Sequence, residues 1–139
     1  MAADFPSPGQ VFDYHFLWKW QAERGETEGR KKRPSCVALV VVNKDGNHVL
    51  FIAPITSKAP TKGRAFLAIP ETEARRAQLD TSVPLWVMLD ELNADILETS
   101  YVIEDRSPRG AFSPAFTDSI LRGVQQVRAA GGLGLSSRS

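Results

Sequence analysis

Residues 11–18 alternate, with Phe12, Tyr14, Phe16 and Trp18 on one face and Val11, Asp13, His15 and Leu17 on the other, which predicts a strand with an aromatic inner face. Residues 19–33 lose that period and contain Gly25 and Gly29, the pattern of a long polar loop. A continuous apolar, largely β-branched run over 35–42 then predicts a central strand buried on both faces. The turn residues Asn43, Lys44, Asp45, Gly46 and Asn47 follow, and 48–55 return as a second apolar strand, so the two form an antiparallel hairpin.

Further along, 65–69 reads as a short strand, 70–79 as a short surface helix opened by Pro70, 84–92 as a strand, and 99–103 as a last strand. Ser113 and Pro114 look like a helix cap and first residue, and Phe116, Ile120, Val124 and Val127 recur at helical spacing until Gly131 and Gly132 end the helix. The expected organisation is a flexible lead over 1–8, one domain over 9–130 and a disordered tail over 131–139. Short strands with one helix inside the set and one at the end predict a small, curled antiparallel barrel of mainly β, α+β class.

Composition narrows the chemistry more than the fold. The 139 residues carry 17 Lys and Arg against 16 Asp and Glu, so no global field draws the chain to a polyanion and any anion-binding surface must be local. Cys36 is the lone cysteine, which excludes an intramolecular disulfide and a cysteine-based zinc cluster, and inside an apolar strand it reads as a small core residue. No basic leader precedes an apolar run and no stretch approaches the ~18 apolar residues of a membrane span, so the expectation is a cytoplasmic protein with no membrane partner.

The local charge is at Arg30, Lys31, Lys32 and Arg33, which run through Pro34 into the central strand. Alone, a run of this length reads as a solvated turn. The hairpin changes that reading: Arg33 lies 12 residues before Asp45 and Thr56 lies 11 after it, so antiparallel pairing brings Arg33 and Thr56 together at the open end.

At this point the chain resembles the PemK/MazF (Kid-like) family of toxin endoribonucleases. The likeness runs from Pro8-Gly9-Gln10-Val11-Phe12, through Glu28 and the Arg33-Pro34 step with its aliphatic strand, to Pro54-Ile55-Thr56-Ser57, Leu89-Asp90-Glu91 and the C-terminal helix. Phe12 stands where the family usually has tryptophan, the loop before Arg33 is longer than usual, and Met88 occupies a position where some members carry arginine. The resemblance therefore implies the branch that relies on an Arg and Thr pair. It also implies an SH3-like barrel, a homodimer, sequence-selective cleavage of single-stranded RNA without metal or other cofactor, and inactivation by a cognate antitoxin protein.

RNA cleavage by its own 2′-hydroxyl needs a proton acceptor, a cation for the crowded phosphate and help for the leaving oxygen. Arg33 offers a planar, always charged fork for the phosphate, and Thr56 and Ser57 offer short hydroxyl donors, which equally fit a strand-end cap. Glu28, five residues before Arg33, is the candidate proton acceptor or else surface decoration. Arg30, Lys31, Lys32, Lys58, Lys62 and Arg64 would track the RNA backbone, with Trp18 and Trp20 at the rim for a base. His15 has no partner that the sequence fixes. Two other readings compete: a non-catalytic toxin of the same fold that poisons a DNA topoisomerase, and an inactive barrel serving as a binding module.

Overall fold

The computed structural model describes residues 5–29, 31–103 and 106–138. Its eight strands make one sheet that is antiparallel except at its last pair. Strand β1 (Gln10–His15) lies beside β2 (Lys32–Val42), and β2 beside β3 (His48–Thr56). The far edge of β3 is shared: Val49 to Ile52 pair with β6 (Glu91–Ile96), while Ile55 and Thr56 pair with β5 (Trp86–Met88), which in turn holds β4 (Phe66–Ala68). One strand feeding two neighbours at different heights splits the sheet and curls it.

Curling creates two cores. On one side Phe12, Tyr14 and Phe16 of the aromatic face pack with Val37, Leu50 and Ile52, all at most 1 % exposed. On the other, Val11, Cys36, Ala53 and Ile55 meet Ile120 and Val124 of helix α3 (Pro114–Ala129). That helix starts as its sequence predicts, with the Ser113 hydroxyl accepting from the Phe116 N–H and Pro114 at the first turn. Helix α2 (Glu71–Arg76) is tied to it by Glu73, whose carboxylate accepts from the N–H and the hydroxyl of Ser113. A two-residue strand β7 (Gly110–Ala111) closes the β1 edge.

The β2–β3 hairpin turns at Asn43, whose side-chain oxygen accepts from the Asp45 and Asn47 N–H groups, and Gly46 takes the left-handed φ of 80° that the turn requires. Its register shifts once, between Val37 and Leu39, where Ala38 is an extra residue on β2. Ser35 faces Pro54, so continuing that register sets Arg33 opposite Thr56.

Five expectations need correction. Residues 19–33 are not loop throughout: helix α1 (Lys19–Glu23) forms because Gln21 turns inward, 3 % exposed, and its side-chain oxygen accepts from the Trp18 N–H. The strand expected over 84–92 breaks at Leu89 and Asp90, and β6 continues to Ile96. Residues 99–103 form no strand, because the Ser100 hydroxyl takes the Val102 and Ile103 N–H groups that a ladder would use. The tail expected to be disordered instead forms β8 (Gly134–Ser137), parallel to β6, and at the other end Phe5, inside the expected flexible lead, packs edge-on against Phe12 at 5.3 Å. No helix among the described residues is long and apolar enough to cross a membrane.

Candidate nucleic-acid groove

The open end of the hairpin faces a groove of about 620 Å³. It is lined by buried Phe16 and Met88, by Trp18, Trp20 and Lys31, and by the turn from Thr56 to Thr61. Arg33 stands in this groove from β2 and Thr56 from the end of β3.

Arg33 is in an unusual setting for a cation. Its guanidinium lies over the Trp18 ring, 5.2 Å from the centroid, while its Nε is buried and has no hydrogen-bond partner. Among the described residues no carboxylate forms an ion pair with it. Burial lowers its pKa, because the charged form loses hydration. An arginine nonetheless stays protonated in proteins, so the groove holds a fixed, partly desolvated positive charge.

Thr56 does serve as a strand-end cap: its Oγ1 accepts the Lys58 N–H at 3.1 Å. That bond uses a lone pair and leaves the hydroxyl proton available, so the cap orients the hydroxyl without consuming its donor. Ser57 and Lys58 follow on the same exposed turn and line the groove.

The remaining candidates divide. Lys31 lines the groove. Arg64 also borders it, but its fork is occupied: Nε and one terminal nitrogen donate to the two Asp90 oxygens at 2.7 and 2.8 Å, and the same nitrogen donates to Glu91 Oε2 at 2.6 Å. The hydrogen bonds to Asp90 lead in raising the Arg64 pKa. Burial alone would raise the Asp90 carboxyl, yet the bonds from Arg64 and the Ala65 N–H, with the Arg64 charge, hold it below its ordinary range. Glu28, Lys32 and Lys62 are exposed and do not line the groove. His15 is half-buried and also outside it, and Arg30 lies outside the described residues. Burial pushes the Cys36 thiol up to about 12, which leaves it an inert core group.

Sequence reasoning missed the polar spine behind the groove. Glu91, Asn93 and Asp95 alternate with apolar Leu92 and Ala94 along β6, so they share one face, and all three are buried. Glu91 accepts the Lys19 N–H at 2.7 Å, Asn93 accepts the Leu17 N–H at 2.8 Å and donates to the Leu17 carbonyl at 2.7 Å, and Asp95 accepts the Tyr14 hydroxyl at 2.8 Å. Burial pushes the Tyr14 phenol up, with the Asp95 charge adding to it. The signal was the period-2 alternation of residues 91–95, which reads as a strand end only when polar residues are assumed to face water. Among the described residues no three His, Cys, Asp or Glu side chains are grouped as a metal site. The chain matches no family model, no curated protein and no solved structure.

Proposed function

We propose that the chain is a toxin-type endoribonuclease, of the PemK/MazF kind it resembles, that cuts single-stranded RNA with the RNA's own 2′-hydroxyl as nucleophile. The observation that carries this reading is Arg33: a cation held against an aromatic ring, without a carboxylate partner among the described residues, in the open groove that Thr56 also lines. A phosphate entering there restores to Arg33 the bonds that burial removed, and more so as charge builds on the pentavalent phosphorus. Thr56 and Ser57 donate to the phosphate oxygens, and Lys31 and Lys58 draw the flanking backbone. The 2′-hydroxyl gives its proton to solvent water as its oxygen bonds to phosphorus, the bond from phosphorus to the 5′-oxygen breaks, the leaving 5′-oxygen takes up a proton from water, and the products are a 2′,3′-cyclic phosphate and a 5′-hydroxyl. No metal enters these steps. Glu28, outside the groove, is given no step.

The proposal includes an SH3-like barrel, a cytoplasmic homodimer and an antitoxin protein partner. Pairing of the C-terminal strand with β6 supports the ribonuclease over a topoisomerase poison anchored by a free apolar tail. Incubating purified protein with single-stranded RNA in EDTA tests the reading. Cyclic-phosphate ends that vanish with a 2′-deoxy sugar at the cut are expected; equal cutting of DNA, or full activity in Arg33→Ala, would end it.

A further inference from the structure

Trp18 covers the guanidinium of Arg33, so whatever fixes the indole also aims the groove's unpaired cation. The indole's own backbone neighbours are held from β6. Asn93, 0 % exposed, bonds both the N–H and the carbonyl of Leu17, and Glu91 bonds the Lys19 N–H, which brackets Trp18 on both sides.

The C-terminal strand completes the bracket. Its pairing with β6 extends to Arg138, whose backbone N–H donates to the Ala94 carbonyl at 2.9 Å. The Arg138 side chain then turns inward across the Tyr14 ring, 5.3 Å from its centroid. One terminal nitrogen donates to the His15 carbonyl at 2.6 Å and to Asn93 Oδ1 at 3.1 Å, and the other reaches the Thr27 carbonyl at 3.5 Å. A single guanidinium thus joins β8, the end of β1, the amide that holds Leu17, and the loop that leads to Lys31 and Arg33. A lysine offers one point charge and not two edges, so the geometry specifies arginine.

We propose that Asn93 and Arg138 are positioning residues that set the Trp18 indole over Arg33, so that the C-terminal strand aims the cation of the groove. The kinetic part of this inference rests on the ribonuclease reading; the structural part does not. Arg138 is half-buried just past the end of β8, so Arg138→Met removes the guanidinium while leaving the β8 pairing in place, and Asn93→Asp keeps the Leu17 N–H acceptor while removing the donor to the Leu17 carbonyl.

Nitrogen-proton NMR spectra of the full chain read the Trp18 indole N–H and the Arg33 Nε–H directly. Both resonances are expected to move in Arg138→Met and in Asn93→Asp. In an active enzyme kcat should fall about tenfold, as for a cation displaced by a fraction of an ångström, with KM changed less than about twofold. Because Arg138 acts through Trp18, the losses in Arg138→Met and Trp18→Leu should be less than additive when combined. Resonances that stay in place in both variants overturn the proposal, as does an unchanged kcat or full additivity. Wild-type protein that cuts no RNA, with resonances that still move, would end the ribonuclease reading alone and leave the positioning of Arg33 standing.

Discussion

Among the described residues two arginines line the groove, and they are opposites. Arg64 has its Nε and one terminal nitrogen bonded to two carboxylates and ties the turn that follows Thr56 to the start of β6. Arg33 has an aromatic ring against its face, a buried Nε without an acceptor and no carboxylate partner among the described residues. A paired cation has little left to give a ligand, since a phosphate would have to compete with bonds already made. A cation that folding has stripped of water without replacing it gains far more when an anion arrives. The number of arginines in a groove is therefore a poor guide to where it acts; the bonds they lack are a better one.

Removing the unpaired charge tests this contrast most severely. Arg33→Ala should lower kcat about 10²–10³-fold, the scale of losing a donor to transition-state charge, and Arg33→Lys should lower cleavage far more than RNA affinity. Single-turnover cleavage alongside filter binding separates the two effects.

Arg64→Met should act on stability instead. It strands Asp90 and Glu91, and urea unfolding at neutral pH should show a loss of about 1–2 kcal/mol, a modest figure because the pair is partly solvated. The pH dependence follows from the direction of the Asp90 shift. Its carboxyl is held below its ordinary range in the fold, so its contribution is complete above the unfolded value of about 3.9 and is lost as pH falls through the lower folded value. The gap between wild type and Arg64→Met should therefore close on acidification, and a gap that stayed constant down to pH 2 would mean that the ion pair is not its source.

Thr56→Ala removes one hydroxyl donor and should cost about tenfold in kcat, with a less than additive loss when combined with Arg33→Ala. Glu28→Gln should change cleavage less than about threefold, since Glu28 is exposed and outside the groove; a large loss measured under the same conditions would place it in the site after all.

The hairpin was legible because its signals agree. The β-branched run, the Asn43 to Asn47 turn and the return strand all favour one pairing, and the aromatic alternation of β1 found its own side of the sheet. The same spacing carried Arg33 and Thr56 into one groove. Where buried groups are polar, the sequence misleads. Gln21, Glu91, Asn93 and Asp95 are all at most 9 % exposed, although their residue types suggest water, so α1 and most of β6 were hidden in what read as loop and strand end. Strand β8 was hidden for a related reason: Gly134, Leu135, Ser136 and Ser137 have no pattern of their own, and only the open edge of β6 orders them. The pairing of Arg64 was likewise unreadable, because Asp90 lies 26 residues away across a turn whose course no local rule fixes.

The extra residue at Ala38 acts as a phase shifter. Between the turn and the bulge the pairing has one parity, set by Val42 against His48; beyond it, the parity set by Ser35 against Pro54 applies. Without that one-residue slip, Arg33 would stand opposite Ser57, and the two ends of β2 could not both keep their present faces to the cores. The turn and the groove thus sit in different phases of one pair of strands, and the bulge is what reconciles them.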